Sequence, residues 1–108
     1  MVPMVENAEQ ARLIVQSVKY PPVGRRGIGI CPPHPHYDTP GDQPSKIRNV
    51  NEELLIIAQI ETAKGVENVD EIAAVDGVDV LWIGHIDLSN SMGIPGQFKS
   101  EKYLTAER

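Results

Sequence analysis

A single cysteine, Cys31, is all that the 108 residues offer for covalent cross-linking. No intrachain disulfide can staple this fold, which agrees with a reducing compartment. Aromatic residues are scarce, at one tryptophan, one phenylalanine and three tyrosines, and the net charge is −5. With no basic patch for phosphates and few rings for base stacking, nucleic acid is not an expected partner. No apolar run approaches the roughly 18 residues that a membrane helix needs. The opening Met1-Val2-Pro3-Met4-Val5-Glu6 lacks the charged-then-apolar order of a signal peptide. No membrane partner is expected, and a cytoplasmic location follows by default.

What remains is ordinary: hydrophobic residues at 41% and charged residues at 23% indicate neither disorder nor a fibrous architecture for the whole chain. The length suits one core rather than two, so one domain is expected over residues 1–108.

Periodicity divides that domain. Met1 to Val5 reads as a short apolar strand, followed by Asn7 as a helix N-cap with Gln10 three residues on to complete a capping box. Ala11, Ile14, Val15 and Val18 then share a helical face until Pro21-Pro22 ends it. Gly27 to Ile30 reads as a second short strand. Residues 31–45 carry Pro32, Pro33, Pro35, Pro40 and Pro44, which forbid a helix and predict an irregular loop. Lys46 to Glu53 is a candidate short helix.

Leu54 to Ile60 is a continuous apolar run, the pattern of a parallel strand covered on both faces, and Glu61 closes it. A helical face of Val66, Val69, Ile72 and Ala73 follows from Thr62 to the Asp76-Gly77 break. Val78 to Gly84 is a further buried-type strand. Beyond Asp87 a polar loop with Gly93, Pro95 and Gly96 precedes a last helix capped by Ser100 and barely begun. The alternation implies an α/β fold of about four parallel strands with right-handed crossovers. A closed (β/α)8 barrel needs eight strands and typically ~250 residues, so a barrel here is partial.

In parallel α/β folds, chemistry collects at the carboxyl ends of the strands. Glu61 and Asp87 lie at two such ends, separated by one βα unit. Two carboxylates at one sheet edge suit a hard divalent cation, Mg2+ or Mn2+. Gln59, two residues before Glu61, is set on the same face of its strand. The competing reading makes both acids helix caps, a common task at strand-to-helix junctions. Cys31, His34 and His36 lack the second ligand pair of a zinc site, and Gly24, Gly27 and Gly29 lack the order of a dinucleotide fingerprint. Trp82 is expected to pack between sheet and helices, and Arg25 and Arg26 to lie in a solvated turn.

Taken in order and approximate spacing, six segments resemble the HpcH/HpaI aldolase family: Val2-Pro3-Met4-Val5, Ala8-Glu9-Gln10-Ala11-Arg12, Lys19-Tyr20-Pro21-Pro22, Arg26-Gly27-Ile28-Gly29, Gln59-Ile60-Glu61-Thr62 and Ile83-Gly84-His85-Ile86-Asp87-Leu88-Ser89. This family includes 2-keto-3-deoxy sugar acid aldolases, 4-hydroxy-2-oxoheptanedioate aldolase and macrophomate synthase. The resemblance implies part of a (β/α)8 TIM barrel of the phosphoenolpyruvate/pyruvate-binding type. It also implies a divalent metal, Mg2+ or Mn2+ with Co2+ as a further candidate, held by Glu61 and Asp87. Gln59 would lie near bound pyruvate, with Gly84, His85 and Ile86 in a loop facing the substrate carboxylate.

The implied activity is class II aldol cleavage of a 2-keto-4-hydroxy acid to pyruvate and an aldehyde, in a homo-oligomer. A related activity on another keto acid or a CoA thioester, as in citrate lyase relatives, is a further alternative. His85 stands where many members have proline, and it is a candidate proton donor. The Pro-rich loop replaces what is often an S-R-A-like turn and a short helix. An arginine and a histidine that members usually contribute from their first strands would fall upstream of Met1. The expectation is therefore a truncated chain with Met1 an internal methionine. Its competitor is a non-catalytic copy that binds metal or associates with full-length subunits.

Overall fold

The computed structural model describes residues 1–29 and 42–108. Cys31, His34, His36 and most of the Pro-rich loop lie outside the described residues.

Asn7 opens the first helix, α1 (Ala8–Val18), by accepting the Gln10 amide at 2.9 Å. The Gln10 side chain returns one residue further out than a capping box requires, to the Glu6 amide at 2.8 Å. The helix buries Ala8, Ala11 and Val15, and Lys19 ends it ahead of Pro21-Pro22. Next comes α2 (Gln43–Glu53), which starts earlier than the proline content implies because Pro44 falls in its first turn. There the missing N–H and fixed φ of proline cost nothing. No residue of α2 is buried. Polar bonds hold it instead: Asn51 exchanges both of its amide functions with the Tyr20 backbone, at 2.7 and 3.0 Å. The buried Lys19 ammonium donates to the carbonyls of Asn51 and Leu54.

The sheet has two parallel strands, β1 (Ile57–Ile60) and β2 (Val80–Ile83), in register Ile57 to Val80 through Ile60 to Ile83. Val2 adds one parallel bridge on the far side of β1, through Val2 N–H to Ile57 O and Gln59 N–H to Val2 O, both 2.9 Å. Among the described residues this is fewer than the four strands expected, and they form no closed barrel. Gly27 to Gly29 form no strand, since glycine supplies no side chain to pack on a sheet, and Ile30 lies outside the described residues. Leu54 to Ile56 precede β1 rather than belonging to it, with Leu55 exposed.

The helical stretch after β1 is two short helices, α3 (Ala63–Glu67) and α4 (Val69–Ala73), joined at Asn68, whose side chain donates to the Glu6 carbonyl at 2.8 Å. After β2, His85 to Ser91 form α5 where a loop was expected, and Glu101 to Glu107 form α6, capped by Ser100.

One face of the sheet is covered. Ala58 and Ile60 point into a core of Val5, Ala11, Val15 and Ile72. The other face carries Gln59, Trp82 and Gly84, and among the described residues no layer covers it. Trp82 is therefore 56% exposed, not sandwiched between sheet and helices. Among the described residues no helix is long and apolar enough to cross a membrane.

Candidate functional site

The open face ends in a corner built from three segments of backbone. Glu61 leaves the end of β1 with only 5% of its surface exposed. Its Oε1 accepts the Met4 N–H at 2.9 Å. Met4 makes that bond from φ 58°, the left-handed region, which costs a residue with a Cβ about 1 kcal/mol or more. The second oxygen, Oε2, has no hydrogen bond or ion pair among the described residues.

Gly84 forms the third wall. A Cβ at this position would stand 2.5 Å from Glu61 Oε2 and 2.9 Å from Gln59 Nε2. Only a residue without a side chain lets the carboxylate and amide pack against the neighbouring strand end. Gln59 and Glu61 thus share one face, as the two-residue strand repeat requires.

Neither acid is a helix N-cap. Thr62 fills that position for α3, accepting the Gly65 amide at 3.0 Å, and Gly84 fills it for α5. Asp87 is the third residue of α5, exposed, and its carboxylate has no hydrogen-bond or ion-pair partner among the described residues. Ile86 is exposed beside it. Among the described residues no group of three or more His, Cys, Asp or Glu side chains could hold a metal ion. A cation at Glu61 and Asp87 would need oxygens from water or a bound ligand to complete its shell, which hard divalent cations accept.

His85 is engaged elsewhere. Its Nδ1 shares a hydrogen bond with the Tyr103 hydroxyl and lies 3.9 Å from Glu107 Oε1. Its ring meets Phe98 edge-on at 6.4 Å between centroids. Burial, and then the nearby Glu107 carboxylate, push the Tyr103 phenol above its ordinary value. Tyr103 therefore keeps its proton at neutral pH and can donate it to the imidazole. Arg26 stacks over the Tyr20 ring at 4.9 Å rather than reaching toward the corner.

Sequence reasoning missed three residues here. Ser89 is fully buried: its Oγ donates to the Ile86 carbonyl at 2.8 Å and accepts the Gly96 amide at 3.0 Å, fastening the turn after α5 to the helix. Ser91 accepts the Ala63 amide at 3.0 Å and ties α5 to the start of α3. Met4 is the third, and nothing in the side chain of a methionine signals a backbone contribution.

The family model for HpcH/HpaI aldolase/citrate lyase matches residues 1–108. The chain is 47% identical over 96 residues to a 4-hydroxy-2-oxovalerate aldolase of Novosphingobium aromaticivorans, covering 89% of this chain and 35% of that protein. It is 48% identical over 97 residues to a hydroxypyruvate/pyruvate aldolase of Delftia acidovorans, again 89% of this chain and 35% of the relative. Among solved structures, the HpcH/HpaI aldolase from Desulfitobacterium hafniense superposes with a TM-score of 0.86 at 40% identity, over 98% of this chain and 40% of that one. The chain thus spans little more than a third of the length of the curated relatives it matches. From Met1 to Arg108, it belongs to the HpcH/HpaI aldolase/citrate lyase family.

Proposed function

We propose that residues 1–108 form a single partial domain carrying the metal- and keto-acid-binding corner of a divalent-metal-dependent aldolase. Its reaction is cleavage of a 2-keto-4-hydroxy acid, of the 2-keto-3-deoxy type, to pyruvate and an aldehyde. The observation that carries this reading is Glu61, a largely buried residue with one carboxylate oxygen fixed by a backbone amide and the other without a partner among the described residues. No buried polar side-chain atom among the described residues lacks a partner, so Oε2 reaches solvent, and a carboxylate oxygen left open on a side chain held in place is a ready ligand for a cation. The donor set, two carboxylates with no thiolate or imidazole, fits Mg2+ or Mn2+, with Co2+ as a further candidate.

When bound, the cation supplies a Lewis acid for the negative charge that C–C cleavage leaves on the keto-acid fragment. In this reading Glu61 Oε2 and Asp87 hold it, and the Gln59 amide donates a hydrogen bond to a keto-acid oxygen. Gly84, His85 and Ile86 border the substrate carboxylate. Cleavage breaks the C3–C4 bond, the 4-hydroxyl gives up its proton as the aldehyde forms, and C3 takes a proton to complete pyruvate. His85 has Nδ1 bonded to Tyr103, so in this reading any proton it moves travels through Nε2.

The second reading is a chain that binds metal or joins full-length subunits without catalysing. One pair of measurements separates the two: Mn2+ binding by electron paramagnetic resonance, and pyruvate release from a panel of 2-keto-3-deoxy acids with and without Mn2+. Glu61→Ala and Asp87→Ala are each expected to weaken Mn2+ binding by more than the ~10–100-fold typical of outer-shell changes. Binding without pyruvate release supports the non-catalytic reading. Metal-independent turnover, or turnover that survives both substitutions, overturns the aldolase mechanism for this chain.

A further inference from the structure

We infer that Met4 is a positioning residue for Glu61: its left-handed backbone aims an amide at one carboxylate oxygen, so that the other is presented to the cation as a single-oxygen ligand. This assignment rests on the metal-binding reading of Glu61.

Three observations converge on it. Met4 has positive φ in a residue type that gains nothing from that conformation, and its side chain is more than half exposed, so packing of the methionine itself does not explain the backbone. The flanking chain is firmly placed by bonds to β1, Val2 through Ile57 and Gln59 on one side, and Val5 N–H to Gln59 O at 3.2 Å on the other. Between these two anchors the chain departs from strand geometry at Met4, and the amide so turned meets a carboxylate 57 residues away at 2.9 Å. Backbone strain that the surroundings hold in place is a recurrent property of functional corners.

The consequence for the carboxylate is directional. With Oε1 engaged by an N–H, two-oxygen chelation would forfeit or weaken that bond, whereas Oε2 is already turned to the Gly84 and Gln59 side without a partner among the described residues. The backbone of residue 4 thereby acts on a ligand in the way second-shell donors do, by fixing the orientation from which it reaches a metal.

The test exploits the conformation rather than the side chain. Met4→Val disfavours positive φ, because a β-branched residue is strained there. Mn2+ affinity of the 108-residue chain is expected to fall about 10-fold. Met4→Gly and Met4→Asn, both tolerant of the left-handed region, are expected to keep affinity within about 3-fold of the unsubstituted chain, inside the spread of context effects on outer-shell changes. A merely structural methionine would not yield that order. A measurement without any substitution at position 4 covers the case in which Met4→Val does not fold. The Met4 amide proton, observed by NMR, should resonate at the low field of a carboxylate-bonded N–H, and move upfield in Glu61→Ala.

If the unsubstituted chain binds Mn2+ through Glu61 while Met4→Val binds equally well, or the Met4 amide ignores Glu61→Ala, the positioning role is overturned and the metal reading stands. If the unsubstituted chain binds no Mn2+, both fall together.

Discussion

The two faces of this small sheet are made from the same strands but obey different rules. On one, Ala58 and Ile60 are sealed under α1, α3 and α4, with Ile60 only 3% exposed. On the other, Gln59, Trp82 and Gly84 look outward, and Glu61 alone is buried, by backbone and by its own neighbours. The covered face holds the fold by apolar contact. The open face holds a side-chain arrangement whose geometry is more specific than packing requires.

The sharpest way to break that contrast is to remove apolar bulk from each side. Ile60→Ala should destabilise the chain by about 2–5 kcal/mol, the usual loss for a buried aliphatic truncation. Trp82→Ala should change stability by roughly 0.5 kcal/mol or less, as substitutions at exposed positions do. Urea unfolding followed by circular dichroism measures both. Comparable losses would mean that Trp82 is covered in solution, by a second copy or by some other chain.

This contrast also explains what the sequence could disclose. The helical face of α1, its Asn7 cap and the strand core of β1 are local patterns, decided by residues within a few positions of one another, and they are where they were expected. Pro44 misled because proline was taken to bar a helix that it can start. Trp82 misled because an apolar run reports how a strand of this kind is usually covered, not whether these 108 residues supply the cover. In the site, Gln59 and Glu61 follow from a two-residue repeat, and the Gly84 contact lies one strand away. Met4, Ser89 and Ser91 contribute through main-chain groups or bonds to main chain, and pattern reading assigns such contributions to no particular side chain.

The open face can be probed with one methyl group. Gly84→Ala places a Cβ 2.5 Å from Glu61 Oε2 and 2.7 Å from Glu61 Cβ, so the carboxylate must move or the strand ends must part. Crowding of this kind costs about 1–3 kcal/mol. Mn2+ affinity is expected to fall about 10-fold even where the circular dichroism spectrum is retained. Gly93, with nothing within 4 Å of its Cβ direction, is the control for adding a methyl group, although its own φ of 72° makes that change strained rather than crowded. Unaltered Mn2+ binding in Gly84→Ala would remove Glu61 Oε2 from the candidate coordination sphere.

The smallest effect asks to which regime the α5–α6 corner belongs. Tyr103 is buried at the start of α6, against His85 and Phe98, although both α5 and α6 are otherwise largely exposed. Burial first, and Glu107 second, raise its phenol pKa above the ordinary value of ~10. In the unfolded chain the phenol loses its proton near that value, while in the folded chain it keeps it to higher pH. Between the two, the folded state binds more protons, so folding stability must fall as pH rises past ~10. Tyr103→Phe retains the ring contacts and removes the titrating group, so its stability should decline less steeply over the same alkaline range, and the gap between the two proteins should narrow as pH climbs. Urea midpoints at a series of pH values measure this, with the variant absorbing the contributions of every other alkaline group. Parallel decline would show that the phenol meets solvent as freely as Trp82 does, and would place the corner with the open face rather than the covered one.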